Sequence, residues 1–140
     1  MKLSAFLPLL LSACVVPVAV PLPKSGNPVP QQIYGQWQIT RLNDQKVSLP
    51  QAVVSIYSVN PQFMARTDCN QIFGHYETNA ETKSLSFTGI ASTRMACDNM
   101  DIERLLGQVL PQVKSYRFEG NRIEMLDGTG HIVLQGKRAS

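Results

Sequence analysis

The sequence predicts a mainly β fold with one helix, of the α+β class: a small antiparallel barrel or curled sheet with the helix packed over one opening. Three observations predict it. Eight short segments rich in β-branched and aromatic residues are separated by turn residues. The last three of them are joined by Gly120-Asn121 and by Asp127-Gly128-Thr129-Gly130, residues that accept positive φ, so they should form an antiparallel meander. One stretch alone has helical period: Ile102, Leu105, Leu106, Val109 and Leu110 fall on a single apolar stripe. Many strands with one amphipathic helix bury their apolar surface most simply by curling the sheet and covering its mouth.

Each element has its own reason. Residues 34–42 (YGQWQITRL) alternate Trp37 and Ile39 with polar neighbours, and residues 52–58 (AVVSIYS) are β-branched and aromatic. Residues 63–67 (FMART), 74–78 (GHYET) and 84–88 (SLSFT) follow, with TNAETKS turning the chain before the last. Residues 115–119, 122–126 and 131–135 make the meander. Asp98 or Asn99 can cap the helix, Asp101 and Glu103 sit near the positive end of its dipole, and Pro111 should end or kink it near Leu110. Trp37, Tyr57, Phe63, Tyr76, Phe87, Tyr116 and Phe118 are expected in the core.

The N-terminus is a targeting segment. MKLSAFLPLLLSAC carries one positive charge, a short apolar run, then Ser12 and Ala13 before Cys14, the three-part layout of a secretory signal. Leu11-Ser12-Ala13-Cys14 resembles the bacterial lipobox, which implies a signal peptide over residues 1–13 and lipidation, with palmitate among the acyl chains, at Cys14. Pro8, Pro17 and Pro21 argue against an uncleaved spanning helix, because prolines inside one span remove its backbone hydrogen bonds. Val15 follows the cysteine where an inner-membrane retention signal would have Asp, so the outer membrane is the expected address, with the domain facing the periplasm. Residues 14–31 hold five of the nine prolines and read as a semi-rigid tether. The folded unit is expected over residues 32–137.

Composition narrows the function classes. The net charge is +3 and the thirteen Lys and Arg are scattered among acids, so nucleic acid is not an expected partner. No phosphate-cradling glycine loop and no Gly-x-Ser-x-Gly elbow is present. Cys69, His75, Cys97 and His131 could in principle ligate a metal, but their spacing fits no closed zinc pattern. Neither cofactor nor catalysis is expected.

Gly35 and Trp37, then Cys69 and Asn70, then Gly74 and Tyr76, then Thr93-Arg94-Met95-Ala96-Cys97, a short helix and a final glycine-containing hairpin occur in that order. The ordered set resembles the META domain, the family of HslJ-like heat-inducible bacterial proteins, over about residues 33–136. One departure is visible: Asp68 stands where the family has a glycine before its first cysteine, and Asp tolerates a left-handed turn better than most residues. The resemblance implies an association with stress tolerance, heat induction and antibiotic resistance. It singles out Trp37, Asn70, Gly74, Tyr76, Thr93, Arg94 and Met95 as structural or binding residues.

With Cys14 lipidated, Cys69 and Cys97 remain in a compartment that oxidises thiols, and a disulfide between them is expected from compartment and parity. A pair of reduced, buried thiols is the competing reading. Asp68-Cys69 with His75 would make a nucleophile and base only if the thiol were free. Arg94 is expected to bridge Asp68, Asp98 or Glu103, with an exposed role against an acidic partner as the alternative. The expected whole is a monomeric envelope lipoprotein whose partners are the membrane, through its anchor, and an envelope protein. A small-ligand carrier barrel, and an inhibitor or adhesin acting on a periplasmic or host protein, are the alternatives.

Overall fold

A computed structural model describes residues 31–139. The expected signal peptide (residues 1–13), Cys14 and all but the last residue of the expected tether lie outside the described residues. No described helix is long and apolar enough to cross a membrane.

The chain lays down β1 (Gly35–Leu42), β2 (Gln45–Lys46), β3 (Val53–Ile56), β4 (Gln62–Arg66), β5 (Gln71–Asn79) and β6 (Ser84–Ser92). Helix α1 (Asp101–Val109) and a 3-10 turn (Leu110–Gln112) follow, then β7 (Ser115–Glu119), β8 (Arg122–Leu126) and β9 (Ile132–Arg138). Every paired neighbour is antiparallel, in the order β2-β1-β3-β4-β5-β6-β7-β8-β9, and β1 also pairs with β9. The sheet therefore closes on itself in a ring. It is not a regular barrel, because β6 and β7 share one register pair, Ser84↔Ser115. Backbone bonds from Leu85 to Lys114 and from Tyr116 to Lys83 complete that narrow seam.

The helix fills the inside where the strands separate. Leu106, Val109 and Leu110 are fully buried, and Ile102 and Leu105 pack against the same core. The predicted apolar stripe is thus the face turned inward. Pro111 falls in the 3-10 turn, where its missing N–H ends the α-helical ladder. At the other end Asn99 Oδ1 accepts the Asp101 N–H at 3.0 Å, while Met100 occupies the cap position itself with no side-chain bond.

Closure of the ring rests on Trp37. Its indole is 1% exposed, its Nε1–H donates to the Ile33 carbonyl at 2.7 Å, and the Arg138 guanidinium lies 3.9 Å from the ring centre. Arg138 also donates to the Tyr34 and Gln32 carbonyls. Gly35 has φ +116, and a Cβ there would stand 2.9 Å from the Arg138 guanidinium. A β-bulge between Ile39 and Arg41 shifts the alternation, so Trp37, Ile39 and then Leu42 all face inward.

Several elements differ from the sequence reading. The two-residue β2 was not anticipated, and β5 and β6 each extend to nine residues. The added ends run Gln71-Ile72-Phe73 and Gly89-Ile90-Ala91-Ser92, where the bulge opposite Gly74 breaks the alternation of apolar and polar residues that a sequence pattern would detect. Tyr57, expected in the core, is 42% exposed, and its carbonyl accepts the Tyr76 hydroxyl at 2.6 Å. Trp37, Phe63, Tyr76, Phe87 and Tyr116 are buried, and Phe118 is partly so.

Gly74 is explained by a second bulge, where β5 and β6 shift register between Phe73 and His75. A Cβ at Gly74 would lie 2.7 Å from the Thr88 carbonyl, 2.9 Å from that of Gly89 and 2.9 Å from Phe63 Cε1. Two of these are backbone atoms that cannot swing aside, so Gly74→Ala is expected to cost about 1–3 kcal/mol in urea denaturation. An unchanged midpoint would refute this account of the bulge.

The β8–β9 turn is held by one carboxylate. Asp127 Oδ1 accepts the Thr129 hydroxyl, the Thr129 N–H and the His131 N–H at 2.7, 2.9 and 3.0 Å. The Thr129 side chain first, then these backbone N–H groups, hold the Asp127 carboxyl below its ordinary value. A depressed folded pKa means that the stabilisation is complete above the unfolded value of about 3.9 and is lost as pH falls through the folded one. Amide protection at Thr129 and His131 should therefore collapse below about pH 4 in the native protein and be weak at every pH in Asp127→Ala.

Candidate functional site

Two of the motif residues, Thr93 and Met95, converge on a third, the buried amide of Asn70. Asn70 follows β4 and is 2% exposed. Its Oδ1 accepts the Thr93 hydroxyl at 2.9 Å and the Met95 N–H at 2.7 Å. Its Nδ2 donates to the Met95 carbonyl and to Glu103 Oε2, both at 3.0 Å, and its own backbone N–H donates to Glu103 Oε1 at 2.7 Å. Thr93 reaches back, accepting the Gln71 N–H on its hydroxyl at 3.1 Å and donating its N–H to the Gln71 carbonyl at 3.0 Å. All four side-chain hydrogen-bonding positions of the amide are used, which fixes its orientation.

The consequence is a rigidly held but exposed strap. Residues 93–99 are all exposed, Met95 at 60%. The strap has no ladder of its own beyond Thr93, so its shape is set from beneath by Asn70 and from the side by the disulfide. Cys69 and Cys97 are bonded to each other, with Cα atoms 6.0 Å apart. The expected pairing is present, and the competing picture of two buried thiols fails, since Cys97 is exposed. A closed loop of this length contributes roughly 3–4 kcal/mol in the chain-entropy account. Cys69 in this bonded state has no thiol to act as a nucleophile.

Glu103 was read from the sequence as a partner of the helix dipole. Its carboxylate instead turns off the first turn of α1 and clamps Asn70. Nothing in the local sequence distinguishes it from Asp101, which pairs with Arg104 on the exposed side at 3.0 Å. Arg94 makes no hydrogen bond or ion pair among the described residues, so the expected bridge to Asp68, Asp98 or Glu103 is not formed. Glu103 is already committed, and Arg94 is exposed. Asp68 also departs from expectation. Its backbone is not in the left-handed region, and both carboxylate oxygens are buried without a hydrogen-bond partner, beside an equally unpartnered Thr67 hydroxyl.

The other motif residues lie elsewhere. Trp37 belongs to the β1–β9 seam, Gly74 to the bulge, and Tyr76 to the β5 core, where burial pushes its phenol up. His75 is exposed on β5 and His131 in the β8–β9 turn, and no three His, Cys, Asp or Glu side chains among the described residues stand close enough to share a metal ion.

Beside the strap runs a groove of about 400 Å³. Ile72, Ile90, Ala91 and Ser92 form one side; Met100, Glu103, Arg104 and Gly107 form the other, with Arg94 at its rim. The cap residue Met100 and the helical Glu103, Arg104 and Gly107 fall at i, i+3, i+4 and i+7, so α1 presents one face to the core and another to this groove. Gly107 is the residue that sequence reading missed. It sits within the helix with open space where a Cβ would be, although glycine there costs about 1 kcal/mol relative to alanine. No contact inside the fold requires it.

The META domain family model matches residues 31–140. Among solved structures, the crystal structure of a DUF4847 family protein from Bacteroides vulgatus is similar at a TM-score of 0.58 and 8% identity, covering 75% of this chain and 92% of that one. An NMR structure of a protein from Burkholderia xenovorans is similar at 0.58 and 16% identity, covering 87% and 99%. These likenesses are of fold. No curated protein matches the chain.

Removing the Asn70 amide should loosen strap and helix together. Asn70→Ala is expected to lose roughly 2–4 kcal/mol of unfolding free energy and to release amide protection at Met95. A loss confined to a few tenths of a kcal/mol would mean that the strap is held by the disulfide alone.

Proposed function

This chain belongs to the META domain family, and we propose that it is a non-enzymatic lipoprotein, anchored at the outer membrane through Cys14 and binding an envelope protein in the periplasm. The single observation that carries the reading is the lipobox Leu11-Ser12-Ala13-Cys14 placed ahead of a domain whose only other two cysteines are bonded to each other. A lipid signal and an oxidised staple call for the same compartment. The five prolines among residues 14–31 are a composition that suits a spacer between a lipidated cysteine and a folded domain.

Binding is favoured over transport of a small ligand by the packing. Trp37, Ile39, Leu42, Phe63, Leu85, Leu106, Ile123, Met125 and Leu134 fill the ring's interior at 0–1% exposure. Binding is favoured over catalysis by the state of the sulfurs, because a disulfide holds no thiolate. What the described residues offer outward is a braced strap with an exposed methionine and an arginine that pairs with none of them. Such a fixed surface contributes to stress tolerance by holding a partner rather than by changing it.

Radiolabelled palmitate should enter the wild-type protein in cells and be absent from Cys14→Ala, with the wild type floating in the outer-membrane fraction. Equal labelling of the two proteins would refute the anchor, and fractionation with the inner membrane would refute the address.

A further inference from the structure

The groove beside the strap is lined by a strand that lacks a partner. Strand β6 pairs with β5 along its length, but its pairing with β7 stops at Ser84↔Ser115. From Ser86 onward no strand among the described residues lies against that second edge, and none of the backbone bonds to turns or helices reaches it. The 3-10 turn side covers the buried Phe87, whereas residues 88–92 are exposed or partly exposed. An unpaired edge of this kind is a template for another chain; the bulge at Gly89 bends it but leaves residues 90–92 beyond it extended and without lysine or proline. Here Ile90, Ala91 and Ser92 present it to the groove.

Three further observations agree on the occupant. Arg94, which lines the groove, is a cation without a partner among the described residues, while the carboxylate that lines the groove with it, Glu103, is spent on Asn70. The floor is apolar, with Ile72, Ile90 and Met100. Opposite the strand edge, Gly107 leaves the helix wall bare. A side chain there would narrow the furrow without disturbing the fold.

The geometry points to recognition of an extended, acidic peptide segment of a protein partner, which adds to the free edge of β6 between that strand and α1. This deepens the protein-binding reading above and rests on it. The main-chain N–H and C=O groups on alternate residues beyond the Gly89 bulge, which point away from β5, pair with the segment along the stretch that ends at Ser92. A carboxylate of the segment meets Arg94, and alternate apolar side chains lie on Ile72, Ile90 and Met100 beneath bare Gly107.

The test uses the full lipidated chain in mild detergent and a dye-labelled, amidated hexapeptide of alternating Glu and Val, followed by fluorescence anisotropy and by amide exchange at residues 88–92. Saturable binding with new protection at these amides is expected. Arg94→Glu should weaken it at least tenfold. Gly107→Leu should do the same without lowering the melting temperature, which separates a blocked groove from a damaged fold. Substituting Lys for Glu, or methylating alternate backbone nitrogens on the pairing edge, should also cost at least tenfold. Absence of saturable binding would overturn the inference, as would methylated peptide binding as tightly as the parent, which would reduce the site to an anion contact at Arg94. Partner capture by the native protein that both variants leave intact would overturn the groove while leaving the protein-binding reading standing. Loss of palmitate labelling bears on the anchor alone.

Discussion

The Asn70 amide carries a disproportionate share of this structure. It is buried, and an amide taken out of water must find replacements for every hydrogen bond it gave up. Asn70 finds them on two pieces of chain: the strap, through the Thr93 hydroxyl and the Met95 backbone, and the helix, through the carboxylate of Glu103. Satisfying one side chain therefore fixes where β6 is left, how the strap runs and where α1 begins. Half-made, the same set would leave polar atoms buried and the strap free to collapse. The disulfide beside it restrains the same loop covalently, so the two devices reinforce each other across a few residues.

That arrangement answers a geometric problem in the sheet. A nine-stranded antiparallel ring needs every neighbouring pair to run together, yet β6 diverges from β7 after a single pair. The bulge at Gly74 and Gly89 bends the long β5–β6 hairpin away, and α1 with its 3-10 turn occupies the space with Leu106, Val109 and Leu110. The helix is thus a structural member of the wall as well as a lid. Its position has a functional corollary, because a helix laid beside a bare strand edge makes a groove rather than a closed surface.

The opposite behaviour is seen at the β1–β9 seam. There Trp37, Gly35, Gly136 and Arg138 leave no space: a Cβ on Gly136 would stand 3.0 Å from the Gln38 carbonyl and 3.3 Å from Trp37 Cβ. One seam is closed tightly by an aromatic ring and a stacked guanidinium, and the other is left open and braced from within. The contrast separates the motif residues that build the fold, Gly35, Trp37, Gly74 and Tyr76, from those that shape the exposed strap, Asn70, Thr93, Arg94 and Met95.

Much of this was legible in the residues themselves. Alternating β-branched segments, turn residues that accept positive φ and one apolar stripe at helical spacing determined the mainly β class, the C-terminal meander and the inward face of α1, because these depend on periods of two and 3.6 that sequence displays directly. The ordered motif placed the chain in its family. Only the tertiary structure decided the closure of the ring, the role of Glu103, the freedom of Arg94 and the burial of Asp68. Each of those depends on which groups meet across 25 or more residues of chain, and a carboxylate at position 103 looks the same in sequence whether it faces water or an asparagine. The groove was illegible for the same reason: Gly107 and the edge of β6 become its two walls only when helix and strand are laid side by side.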